Sequence, residues 1–195
     1  ISIEYVGATI SRPRAADCRP YADECKLFDK LEFDGGKCNM DYIEICENDY
    51  GAFHELANTY YREGEDADTP QEVIDSFVRM MFDKVINNEI YGCFVKDEQK
   101  YIGFALWAID TEDFDFSEMQ GLGTILEIGL TPSYRSSGLG KNLVTYVENC
   151  LQKSIISQCY VSAYGPAQKF WTSCGYVENG KVASNGLPIM VKTIS

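Results

Sequence analysis

Residues 128–141 read Ile128-Gly129-Leu130-Thr131-Pro132-Ser133-Tyr134-Arg135-Ser136-Ser137-Gly138-Leu139-Gly140-Lys141. A buried-type strand pattern ends, a polar loop carries two glycines spaced by one residue, and a helical pattern begins, with Leu139, Leu143, Val147 and Leu151 as its apolar face. Glycine tolerates positive φ and lets a backbone approach a ligand closely. The first N–H groups of a helix have no partner inside it, and the helix dipole adds a partial charge of roughly +0.5 there, so such a junction binds anions. Arg135 and Lys141 add full positive charge to a chain that is otherwise acidic. A phosphate-bearing ligand is therefore expected at residues 135–141. Two common phosphate motifs do not fit. The P-loop, G-x-x-x-x-G-K-S/T, fails because Asn142 follows Lys141 and the glycine spacing is wrong. The dinucleotide fingerprint G-x-G-x-x-G fails because Gly121-Leu122-Gly123 precedes a strand and nothing completes it. A third pattern fits: Arg or Gln, two residues, Gly, one residue, then Gly or Ala, matched by Arg135, Gly138 and Gly140.

Working outward, strand-like runs at Tyr91–Val95 and Tyr101–Ile109 flank the polar turn Lys96–Lys100, and Leu122–Leu130 forms a third run after an acidic loop. Upstream, Tyr42–Cys46 alternates as a strand does. Phe53, Leu56, Ala57 and Tyr60 then take helical spacing. A second helix is expected to start with Thr69 as N-cap, Pro70 at its first position and Glu72 three after the cap, and to run to about Asn88. Downstream, Cys159–Ala163 reads as a strand. Ala167, Phe170, Trp171 and Cys174 read as a helix stopped by Gly175. Asn179-Gly180 and Asn185-Gly186 read as turns before a last strand at Ile189–Ile194. The order β-α-α-β-β-β-α-β-α-β predicts an α/β (α+β) layered fold with a central mixed sheet flanked by helices. Residues 40–195 form the main domain. Residues 1–39, broken by Arg12-Pro13-Arg14, Arg19-Pro20 and Gly35-Gly36, read as an extension packed on it. That extension has three candidate roles: covering an edge strand, completing a homodimer, or lying over the acceptor cleft.

The 195 residues suit one domain, and at this length folding hides roughly 70% of the chain's surface. Seventeen basic against thirty acidic residues give a net charge of −13, which argues against nucleic acid or an anionic membrane as partner. No run of 18 apolar residues occurs and no signal peptide opens the chain, so no membrane span is expected. The eight cysteines include no C-x-x-C pair and several sit in apolar runs. They read as reduced thiols in a cytoplasmic protein. Cys18, Cys25 and Cys38 match no standard zinc-finger spacing, and the single histidine, His54, excludes a multi-histidine centre, so no metal is expected.

In its loop pattern and element order the chain resembles the GNAT superfamily of acyl-CoA N-acyltransferases over about Met40 to Ile194. Ala167-Gln168-Lys169-Phe170-Trp171-Thr172-Ser173-Cys174-Gly175-Tyr176 is similar to that family's second signature, A-x-x-F-Y-x-x-x-G-F. Met190-Val191-Lys192 resembles its usual last strand. The resemblance implies acetyl-CoA as acyl donor, with the pyrophosphate held by backbone amides of Arg135, Ser136, Ser137, Gly138, Leu139 and Gly140, beside Lys141. It implies a pantetheine arm along Ile128, Gly129 and Leu130, at a splay from strand Cys159–Ala163, and contact with Phe170 or Trp171. It also implies direct attack of an amine on the thioester within a ternary complex, and an amine, free or in a peptide, as acceptor.

The second signature departs from the family at Trp171, which stands where a tyrosine commonly protonates the departing sulfur. Indole is a donor but a negligible acid. Tyr164, Tyr176 or water then remains for that step, or the chain is a non-catalytic acyl-CoA-binding or sensing module. For proton removal Glu127 is the leading candidate, directly, through water, or as a clamp on the substrate. It stands between Leu126 and Ile128, where an acid has no packing role, although strict period-2 alternation leaves its face open. His54 lies beside the apolar positions of its helix and reads as structural rather than catalytic. Nothing basic in the sequence accompanies Cys150 or Cys174 as a nucleophile. Two acidic runs, Glu63, Glu65, Asp66 and Asp68, then Asp110, Glu112, Asp113, Asp115 and Glu118, read equally well as solvated surface or as recognition of a cationic acceptor such as a polyamine, an aminoglycoside or a peptide amine.

Overall fold

A computed structural model describes residues 40–63 and 68–194 of the chain. The extension at 1–39, with Cys18, Cys25 and Cys38, lies outside the described residues, as do Glu65 and Asp66 of the first acidic run. The strands are β1 (Met40–Glu44), β2 (Tyr91–Asp97), β3 (Lys100–Ile109), β4 (Gly123–Leu130), β5 (Gln158–Ser162), β6 (Val177–Val182) and β7 (Pro188–Thr193). They form one seven-stranded sheet in the order β1-β2-β3-β4-β5-β7-β6. Every neighbouring pair is antiparallel except β4 and β5, which run parallel. The helices are α1 (Tyr50–Glu63), α2 (Gln71–Ile86), α3 (Leu139–Lys153) and α4 (Gly165–Ser173).

Alternation along β3 divides the core between the two faces of the sheet. Phe104, Leu106 and Ala108 pack with Phe53 and Ala57 of α1 and Ile74, Val78 and Phe82 of α2. Ala105 and Trp107 pack with Leu143, Val147 and Leu151 of α3, near the partly buried Phe170 and Trp171 of α4. The mixed, helix-flanked sheet expected from the sequence is the fold observed.

Two local expectations need correction. Over residues 40–195 the sequence reading has six strands and takes Asn179-Gly180 as a turn, whereas these residues lie within β6, where the pairing with β7 slips between Glu178 and Val182. As the sheet's last strand β6 buries none of its residues, so it carries no alternation of apolar side chains to read. The second helix begins at Gln71 with Pro70 in an extended conformation (ψ 142°) as its cap, and no side chain caps it. Thr69 contributes its carbonyl instead, accepting a hydrogen bond from Arg62 at the end of α1.

Two irregularities in β4 open the middle of the sheet. Leu106 pairs with Glu127 but Trp107 pairs with Ile125, so Leu126 is the extra residue of a bulge. The parallel ladder to β5 holds only Gly123↔Cys159 and Thr124↔Tyr160. Past Thr124 the two strands diverge.

Candidate active site

Where β4 and β5 part, a cleft of about 860 Å³ opens, bounded by the loop before α3, the end of α1 and the first turns of α4. The loop is tied on both sides. Tyr134 donates from its hydroxyl to Asp97 Oδ2 at 2.7 Å, and Ser137 Oγ donates to the Tyr134 carbonyl at 2.7 Å. Arg135 donates from Nε to the Leu130 carbonyl at 2.8 Å and from its terminal nitrogen to Glu63 Oε2 at 2.6 Å. Its guanidinium thus braces the loop against β4 and α1 while lining the cleft.

Gly138 is the N-cap of α3 with φ +89°, the left-handed region that suits glycine. Lys141 and Asn142 N–H both donate back to the Gly138 carbonyl, at 3.0 and 3.3 Å. The amides of Leu139 and Gly140, in the first turn, have no acceptor within the helix and suit an outside anion. The second glycine has a packing reason: a Cβ on Gly140 would lie 3.1 Å from Phe170 Cε2. The strand–loop–helix junction therefore has the donors and the backbone clearance that a diphosphate requires.

Most residues singled out from the sequence line this cleft: Glu127, Ile128, Leu130, Arg135, Ser136, Gly138, Gly140, Lys141, Tyr164, Phe170 and Trp171. Four do not. Gly129 faces the other side of β4, where a Cβ would meet Phe104 Cε1 at 2.6 Å. Ser137 turns its hydroxyl back onto the loop, and Leu139 packs in the core under α3, so both can offer only their amides. Tyr176 is the fourth, and as candidate acid it is a correction. It is fully buried behind Trp171 (ring centroids 5.2 Å apart), and burial, with the Cys159 thiol and Glu148 carboxylate beside it, pushes its phenol far above the usual range. Of the two candidate acids, Tyr164, at the N-cap of α4, is the one that lines the cleft.

The β4 bulge settles which way Glu127 faces. Ile125 and Ile128 join the core on the α3 side, while Glu127 turns to α1, where the Tyr61 hydroxyl donates to its Oε1 at 2.9 Å. A straight strand would have put Glu127 on the same face as Ile125. Tyr60, Ser162, Asn185 and Leu187 complete this half of the cleft. The sequence reading missed Tyr61, although the i, i+4 series Phe53, Ala57, Tyr61 is a helical stripe, and all three are buried. Ser162, Asn185 and Leu187 have no motif that could have marked them.

Other candidates fall away from the cleft. His54 Nε2 lies 2.8 Å from Asp75 Oδ1 and links α1 to α2. Hydrogen bonds from Gln71 and then His54 hold the Asp75 carboxyl below its usual value. Burial pushes the Cys174 thiol up, away from nucleophilic character. The second acidic run is largely engaged in structure. Asp110 is fully buried and accepts hydrogen bonds from Ser117 Oγ, the Glu118 and Met119 amides and the Tyr160 hydroxyl. Burial pushes its carboxyl up, but these bonds outweigh it and hold it below the usual range. Asp115 pairs with Lys84, and Glu118 accepts from the Ser184 amide. Among the described residues no group of three or more His, Cys, Asp or Glu is placed to hold a metal, and no helix is long and apolar enough to cross a membrane.

The sequence model of the acetyltransferase (GNAT) family matches residues 50–176. Among solved structures, a PaiA N-acetyltransferase from Thermoplasma acidophilum in complex with coenzyme A is similar, with 17% identity and a TM-score of 0.63 over 80% of this chain and 99% of that one. A GCN5-related N-acetyltransferase from Ralstonia eutropha JMP134 has 19% identity and a TM-score of 0.61 over 74% and 97% of the two chains. An acetyltransferase from Thermus thermophilus has 14% identity and a TM-score of 0.60 over 79% and 96%. At these identities the likeness is one of fold. No curated protein matches the chain.

Proposed function

The chain belongs to the acetyltransferase (GNAT) family, and from that premise we propose that it transfers an acetyl group from acetyl-CoA to a primary amine. The observation that carries this reading is the β4 bulge at Leu126. It turns Glu127 into the same cleft that Gly138 and Gly140 line at the start of α3, where β4 and β5 part. A diphosphate held by the amides of Gly138–Gly140 and by Lys141 would direct a pantetheine arm along Ile128 and Leu130 into that gap. The thioester would then lie between the loop and Glu127.

At neutral pH an alkylamine is an ammonium and has no lone pair to attack with. Glu127 accepts that proton, directly or through a water. The amine nitrogen bonds to the thioester carbonyl carbon and gives up its second proton to solvent, the carbon–sulfur bond breaks, and the CoA thiolate leaves. Tyr164 or solvent returns a proton to the sulfur, since Trp171 cannot act as an acid and Tyr176 is sealed away. The acceptor is a protonated amine recognised by Glu127 and the aromatic wall of Tyr60 and Tyr61, rather than by the loop at 110–118, whose acids largely serve the fold. The site requires no metal, and the protein acts as a cytoplasmic enzyme on a small-molecule or peptide amine.

Trp171 favours a second reading, a non-catalytic acyl-CoA-binding or sensing module. Release of free CoA from acetyl-CoA, followed by thiol capture with a polyamine, an aminoglycoside, a lysine peptide and an N-terminal peptide amine, separates the two. Amine-dependent release is expected; tight CoA binding with no release for any amine would favour the sensing module.

A further inference from the structure

Tyr61 stands in the last turn of α1 with 8% of its surface exposed, lines the cleft, and gives its hydroxyl proton to Glu127 Oε1 at 2.9 Å. Two braces fix its position. Its ring sits edge-on to Phe77 of α2, with centroids 5.5 Å apart at 86°. The next residue, Arg62, donates to the Thr69 carbonyl at 2.9 Å and to Gln71 Oε1 at 3.1 Å, which joins the end of α1 to the start of α2. Glu127 stands at a bulge, on a strand that has lost its β5 partner. A glutamate side chain has several staggered rotamers, and a hydrogen bond to its carboxylate favours the one that makes it.

We infer that Tyr61 is a positioning residue for Glu127, selecting by its hydrogen bond the rotamer whose carboxylate faces the incoming amine. The inference rests on the proposed role of Glu127. An ionised carboxylate accepts about four hydrogen bonds, so the phenol and an ammonium can be accepted together. Tyr61 exchanges no proton in the reaction; its O–H stays intact while the amine's proton passes to Glu127. Because Tyr61 acts on the carboxylate and not on the loop before α3, its loss should slow turnover without weakening acetyl-CoA binding.

A double-mutant cycle on the intact chain tests this, with acetyl-CoA and the best amine of the panel above. Tyr61→Phe should lower kcat about tenfold, the size of one hydrogen bond to a charged group, with KM for acetyl-CoA unchanged. In the Glu127→Gln background the same substitution should have no further effect. Equal losses in both backgrounds, or no loss in either, would overturn the inference while leaving the role of Glu127 intact. An unimpaired Glu127→Gln enzyme, or a wild type that uses no amine, would instead remove the functional reading and the inference with it. Should Tyr61→Phe melt early, 3-fluorotyrosine at position 61, which keeps the hydroxyl, tests the contact itself in a folded protein. Its fluorine resonance should shift on Glu127→Gln, and an unmoved resonance would overturn the contact.

Discussion

Gly138 and Gly180 form a natural control pair. Both adopt left-handed backbone, φ +89° and +79°, and a Cβ on either would meet nothing within 4 Å. Gly138 caps α3 at the cleft, whereas Gly180 lies in β6 at the edge of the sheet. Alanine at either position therefore imposes the same penalty, about 1–2 kcal/mol of backbone strain with no steric clash. At Gly138 the chain can escape the strain by letting the loop leave the conformation that aims its amides at the cleft. The competent fraction then falls about 5- to 30-fold, and the apparent Kd for CoA rises by the same factor. At Gly180 the same strain costs stability but leaves the loop alone. Titration calorimetry with CoA on Gly138→Ala and Gly180→Ala, with melting temperatures for both, reads the difference. Weakened CoA binding by Gly138→Ala alone is expected. Equal affinities in the two variants, each folded, would refute the reasoning that this glycine serves anion binding.

Asp110→Asn should lower stability by about 2–3 kcal/mol at neutral pH, because an amide replaces a buried carboxylate that accepts four donors. The Asp110 carboxyl is held below its unfolded value, so its contribution is present above about pH 4 and fades as pH falls through the folded pKa. Thermal melts from pH 3 to 7 should accordingly show a flatter acid limb for Asp110→Asn, and parallel curves would contradict this. Trp171→Tyr places a phenol where the ring already lines the cleft. If sulfur protonation slows release, kcat should rise several-fold with CoA affinity kept; an unchanged kcat would mean that protonation is already fast.

How much of this was legible in the sequence depended on whether a physical signal was local. The loop was readable because Gly138 needs positive φ and Gly140 needs clearance from Phe170, and each need leaves a glycine at a fixed offset. The central strands and helices were readable because β3 is one continuous buried run from Ile102 to Ala108 and α3 repeats its buried positions at helical spacing. The edge strand β6 was not, since it buries no residue. The facing of Glu127 depends on a bulge defined only by pairing between β3 and β4, contacts made about twenty residues apart. Tyr61 meets Glu127 across 66 residues of sequence. The acids at 110–118 looked like one charged surface because composition cannot tell a buried carboxylate with four donors from a solvated one.

The most direct measurement tracks the backbone amides by ¹⁵N NMR as CoA is added to the intact chain. The Gly138, Leu139 and Gly140 resonances should shift downfield, and their N–H exchange should slow as the diphosphate accepts their hydrogen bonds. If CoA binds while those three amides stay unmoved and exchange as before, the loop is not the anion site, and the proposed path of the thioester toward Glu127 is lost.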